Sequence, residues 1–279
     1  MRRFIVMVVP AVLLAGCDML SATPDPDATD TGSVTATPTP PDVPGANGSG
    51  EGQPVGGARQ FVDETDTYLF EYSYPQAAGD TPGLAAWLDR RLESRRAALA
   101  QQAARGREEA RGDGFPFNKY SSSTAWEVVA DIPGWLSLSA DLDSYEGGAH
   151  PNYGFDALLW DRDEEQAIEP ISLFTSPEAL DEALGERLCE ALNAERERRR
   201  GEPVPEGSDD EFDACVKPDE TNLLLGSRGG QHFDRIGIQI APYIAGPYSE
   251  GSYEFSFDMD EDLLAIVRPE YRAAFGAES

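Results

Sequence analysis

Ser144-Tyr145-Glu146-Gly147-Gly148-Ala149-His150-Pro151-Asn152-Tyr153-Gly154-Phe155 lies between two alternating apolar and polar runs, Trp135 to Leu142 and Tyr153 to Trp160. Alternation at period two marks a strand with one buried face, so a strand is expected on each side of the stretch. Gly147, Gly148 and Pro151 break the pattern between them, and the two glycines can take positive φ at little cost. The stretch therefore reads as a shaped loop that carries Glu146, His150, Tyr145 and Tyr153 between two rigid elements.

Working outward, Pro133-Gly134 is a turn that makes Thr124 to Ile132 the antiparallel partner of Trp135 to Leu142. Thr67 to Tyr74 alternates and is aromatic, which predicts a further strand. Thr81-Pro82 reads as the cap and first position of a helix to about Arg111, with Leu84, Leu88, Leu92, Leu99 and Ala103 on one stripe. Its seven arginines read as a solvated face that pairs with nearby acids. Ser176-Pro177 opens a second long helix with Leu180, Leu184, Leu188 and Leu192 as its core stripe. That helix ends in Arg196 and Arg198 to Arg200, where cations suit the helix dipole. Phe233 to Ala241 and Ser252 to Phe257 are expected strands, and Asp258 to Glu261 resembles a capping box for a short last helix, Leu263 to Val267. The expected class is α+β: antiparallel sheets with one long helix packed in each of two fused subdomains, 59–135 and 136–279, plus the short C-terminal helix.

The first 58 residues read differently. Arg2 and Arg3, the apolar run Phe4 to Leu14 and the ending Leu14-Ala15-Gly16-Cys17 form a secretory signal over 1–17. Its ending resembles a bacterial lipobox, which implies lipid on Cys17 and a membrane partner reached through that lipid. Asp18 after the cysteine resembles an inner-membrane retention signal. Residues 18–58 are rich in Pro, Thr, Asp, Gly and Ser, a composition that cannot bury enough surface to offset its ordering entropy, so a tether is expected. The formal charge of the chain is −29. Removing Arg2 and Arg3 leaves −31, and setting aside the six acids of the tether leaves −25 on the folded part. Such a charge argues against nucleic acid and anionic lipid as partners and favours a cationic partner or simply solubility.

With Cys17 lipidated, Cys189 and Cys215 remain as an even pair in an exported chain, which predicts a disulfide. Only His150 and His232 occur, and none of the familiar hydrolase, P-loop or zinc signatures is present. The acids at 161, 163 and 165 open like a calcium loop, but Gln166 and Ser172 stand where that loop requires Gly and Glu. No metal, cofactor or catalytic residue is therefore assigned.

The run Glu146 to Pro151, followed by Ile171-Ser172-Leu173-Phe174 and by Ile236-Gly237-Ile238-Gln239-Ile240-Ala241-Pro242-Tyr243-Ile244-Ala245-Gly246-Pro247, resembles the C-terminal module of the RsiV anti-sigma factor ectodomain. The same module accompanies PdaC-type peptidoglycan deacetylases, and residues 60–135 resemble the smaller module that precedes it. The resemblance implies an extracytoplasmic module, no catalytic residue and, from RsiV, lysozyme as a kind of partner. The expectation is a non-enzymatic envelope lipoprotein that binds a cationic protein or a peptidoglycan component through Glu146, Gly147, Gly148, His150, Tyr153 and Tyr243. The alternatives are an envelope hydrolase built on His150 with a carboxylate, and a structural spacer.

Overall fold

The computed structural model describes residues 56–277; the expected signal peptide, lipidated Cys17 and almost all of the expected tether lie outside them. The chain order is β1 (Arg59–Glu64), β2 (Tyr68–Tyr74), the single turn α1 (Gln76–Gly79), α2 (Pro82–Asp113), β3 (Tyr120–Ile132), β4 (Trp135–Tyr145), β5 (Asn152–Asp161) and β6 (Gln166–Ile168). Then follow α3 (Pro177–Arg200), β7 (Asn222–Gly226), β8 (Arg235–Ile240), β9 (Tyr253–Asp258) and α4 (Glu261–Ala265). Strands β1 to β6 form one sheet in sequence order, and β7 to β9 form a second, antiparallel one. The class is α+β, as expected.

One pairing departs from the antiparallel expectation. β2 and β3 run parallel. The reason is α2, whose 32 residues carry the chain back along the sheet before β3 begins. A parallel neighbour requires such a crossover, whereas a tight turn forces reversal.

The expected division at 135/136 falls between the first two residues of β4, which pairs with β3 along most of its length within a single sheet. Two cores do exist, but they follow the faces of that sheet rather than the order of the chain. Leu136, Leu138, Ala140, Leu158 and Trp160 join the leucine stripe of α2. Trp135 and Leu159, of opposite parity, join the leucines of α3 and the inner residues of β7 to β9. β3 serves both cores by means of a bulge. Its register shifts between Val128 and Ala130, so Trp126 faces the first core while Ala130 and Ile132, at the same parity, face the second.

The helix ends follow from local chemistry. Ser176 Oγ accepts the Ala179 amide at 3.1 Å, and Gly201 closes α3 at φ 78°. Thr81 begins α2, but its hydroxyl donates back to the Ala77 carbonyl instead of capping. α4 is capped by Asp260, which accepts the Leu263 amide, and not by Asp258. Asp258 lies at the end of β9 and pairs with Arg228.

Candidate functional site: an aromatic ridge and its fastening

β4 ends at Tyr145 and β5 begins at Asn152, so the predicted loop sits at one end of the large sheet. Gly147 has φ 81°, the left-handed region where a side chain is strained. Gly148 takes no such conformation and has open space around it. Only one of the two glycines is therefore demanded by the turn. Glu146, Gly148 and His150 are exposed.

The β8–β9 connection reaches the same place. His150 stacks on Tyr248 with ring centroids 4.0 Å apart. Tyr153 meets Tyr248 edge-on at 5.8 Å, and Tyr243 lies 5.8 Å from Tyr248. The His150 ring is engaged at both nitrogens. The Pro151 carbonyl, 2.9 Å from Nδ1, can only accept, so Nδ1 carries a hydrogen, and Nε2 shares a hydrogen bond with the Tyr243 hydroxyl at 3.2 Å. A ring so engaged is a structural member of the cluster, and among the described residues neither nitrogen bonds a carboxylate.

The predicted residues His150, Tyr153 and Tyr243 thus converge, and Tyr248, which sequence reasoning passed over, is their hub. The signal for it was available: Pro242-Tyr243 and Pro247-Tyr248 repeat one step five residues apart. Tyr243 has φ 70° and is 52% exposed, and Ile244 beside it is 39% exposed. A non-glycine residue in the left-handed region costs about 1–2 kcal/mol and persists only where its surroundings hold it.

Those surroundings are the end of α3. Arg196 is fully buried. It donates to the Ala245 carbonyl through Nε at 3.1 Å and Nη2 at 2.9 Å, to the Ala214 carbonyl at 3.0 Å, and to Asn193 Oδ1 at 2.9 Å. Arg199 donates to the carbonyls of Glu250 at 2.6 Å and Ser252 at 2.8 Å, and its guanidinium lies 4.0 Å over the Tyr253 ring. Arg200 spans Glu250 Oε1 at 2.9 Å and Asp213 Oδ1 at 2.6 Å, while the Tyr253 hydroxyl donates to Glu250. The expected role of these arginines, cations at a helix C-terminus, is thus only part of their role: three of them fasten the β8–β9 loop to α3. On α2, arginines pair with acids as expected, Arg91 with Asp156 and Arg96 with Asp63.

The fastening is acid-sensitive. Hydrogen bonds from Arg198 and Arg199 draw the Glu195 carboxyl down to about 2. Ser208 and Arg200 hold Asp213 below its ordinary value. Burial works to raise Glu250, but its bonds from Arg200 and Tyr253 outweigh this and leave it lowered. A carboxyl with a lower pKa in the folded state adds stability above its ordinary pKa and loses it as pH falls through the folded one. The melting temperature is therefore expected to drop as pH falls from about 4.5 towards about 2, and Glu250→Gln is expected to make that drop shallower. Thermal melts of both proteins across this range check it; identical profiles would contradict the assignment of Glu250.

The predicted Cys189–Cys215 disulfide is present, with Cα atoms 5.1 Å apart. It pins the loop after α3 to that helix, next to Asp213 and Ala214, which hold Arg196 and Arg200. The acids at 161, 163 and 165 close a reversal, in which Asp161 Oδ1 accepts the amides of Asp163 and Glu164. Among the described residues, no group of three or more His, Cys, Asp or Glu is placed to hold a metal ion.

Comparison with known proteins covers part of this architecture. Residues 61–153 match the family model described as Deacetylase PdaC. This PdaC-type segment is a third of the chain. It runs from β1 through the ridge loop to Tyr153 and crosses the expected boundary at 135/136, in keeping with the continuous sheet. Two solved structures of the DUF3298 family are similar to the chain. One, from Bacteroides fragilis NCTC 9343, is 14% identical over 76% of this chain and 94% of its own, with a TM-score of 0.48. The other, from Pseudomonas aeruginosa PAO1, is 16% identical over 80% of this chain and 98% of its own, with a TM-score of 0.46. No curated protein matches the chain.

Proposed function

We propose that the chain is a lipid-anchored, non-enzymatic binding module of the bacterial cell envelope, and that the ridge of His150, Tyr153, Tyr243 and Tyr248 is its binding surface. The observation that carries this reading is Tyr243, an aromatic side chain held exposed in a strained backbone conformation by a buried fastening. Exposed tyrosine and isoleucine on a rigid base offer a partner large contact area at little ordering cost. Glu146 at the edge of the ridge and the charge of −25 on the folded part favour a cationic protein, and the resemblance to RsiV makes a muramidase the first candidate. Proposed contacts are Glu146, Gly147, Gly148, His150, Tyr153 and Tyr243, with Tyr248 added.

A second reading, a peptidoglycan component, is favoured by the exposed ring of Tyr243, which suits stacking on a sugar. Co-sedimentation of the full chain with purified peptidoglycan separates the two: pelleting that disappears in Tyr243→Ala would put the wall polymer in place of the protein. Anchoring is tested separately. Cys17→Ser is expected to move the protein from the membrane fraction to the soluble one. Unchanged membrane retention and mass would overturn the lipobox reading, with Asp18 then carrying no information on inner-membrane residence.

A further inference from the structure

We infer that the Cys189–Cys215 disulfide is a redox-sensitive latch that sets the posture of the aromatic ridge. The inference rests on the ridge reading only for its biological use; the mechanical coupling is independent of what binds. Cys215 is bonded in the chain to Ala214, whose carbonyl accepts from Arg196 at 3.0 Å, and lies two residues from Asp213, whose carboxylate accepts from Arg200 at 2.6 Å. The same two arginines continue to the ridge loop, Arg196 to the Ala245 carbonyl and Arg200 to Glu250. Each guanidinium thus bridges two loops. One of these, residues 201–217, has its end tied to α3 by the disulfide, and the other, the β8–β9 connection, carries Tyr243 and Tyr248. If the first loop moves, both arginines lose acceptors on that side, and the buried Arg196 must find others by shifting the second loop.

The bond is open to exchange. Cys215 is exposed and Cys189 half-buried. Cys215 borders a cleft of about 570 Å³ on one side, lined in part by Pro203, Pro205 and Ser208, and a groove of about 490 Å³ on the other, lined in part by Gly185 and Glu190. A dithiol reductant has room to approach from either side. One of its thiolates attacks a sulfur of the disulfide to form a mixed disulfide. Its second thiol then closes on the first, so that the reductant leaves as its own disulfide and Cys189 and Cys215 each take a proton as thiols. Two electrons pass from reductant to protein.

The test is backbone hydrogen exchange on the full chain, oxidised and then reduced with dithiothreitol, without any partner. Reduction is expected to speed exchange about tenfold or more in residues 241–252, where the amides of Tyr243, Glu250 and Gly251 are hydrogen-bonded within the loop, while β3 and β4 stay protected. Asp213→Asn in the oxidised protein is expected to speed the same segment by a smaller factor. Two results would overturn the inference. In one, reduction loosens 201–217 and leaves 241–252 unchanged. In the other, exchange rises across the whole domain, which would make the disulfide a general staple.

Discussion

Arg196→Ala is expected to destabilise the protein by about 3 kcal/mol or more, the largest effect of any single side chain near the ridge. The argument is one of unmet acceptors. Arg196 is fully buried at the centre of a group made of the Ala245, Ala214 and Asp213 carbonyls and the Asn193 side chain. Alanine leaves these oxygens without their donor and opens a cavity the size of the lost side chain, and both changes cost free energy. Arg196→Met separates the two, since it refills most of the volume but donates nothing. It is expected to recover only the packing part of the loss. Urea unfolding of the three proteins measures this. A loss below about 1 kcal/mol for the alanine variant would mean that the carbonyls are satisfied by water and that the ridge loop is held by other groups.

Replacing both cysteines, Cys189→Ala with Cys215→Ala, is expected to cost about 3–4 kcal/mol, the value for releasing a closed loop of this length from its constraint in the unfolded chain. The sequence separation is 26 residues. The loop it closes includes the last turns of α3, with Leu192 buried, and the acidic stretch 201–214, which has no buried hydrophobic residue. Unfolding of the double variant measures the effect, and non-reducing mass spectrometry of the purified protein first checks that the bond forms. Two free thiols in the protein would remove the premise.

The large features were legible because they depend on periodicity. The strands around the ridge loop and the leucine stripes of α2 and α3 were expected residue by residue, since one buried face dictates the spacing of apolar residues. What stayed hidden has no periodic signature. Alternation is the same for parallel and antiparallel neighbours, so the parallel β2–β3 pair is legible only from the helix between them. The bulge at Val128 and Ala130 reverses the face of β3 without interrupting its polar and apolar run. β1, with an exposed Val62, and the five-residue β7 are too short to separate from loop by pattern.

The site was legible in part for a similar reason. His150 lies on the loop that the glycines announce, Tyr153 lies at the start of the strand after it, and Tyr243 was among the expected contacts. Tyr248 joins them only through the path of the β8–β9 connection, which depends on Arg196, Arg199 and Arg200. An arginine at the end of a helix reads the same in sequence whether it faces water or a buried carbonyl. Burial of Arg196 is a tertiary fact, and with it went the fastening.

The central claim is that the ridge is where a partner binds. Its most direct measurement is calorimetric titration of the full chain with a cationic muramidase, for the unaltered protein, Tyr243→Ala and Glu146→Gln, with melting temperature followed for each. The account predicts saturable binding by the unaltered protein, a loss of about tenfold or more in affinity for Tyr243→Ala and a smaller, salt-dependent loss for Glu146→Gln, with all three folded. Equal affinity in all three, with melting temperatures unchanged, would place the binding surface elsewhere on the molecule.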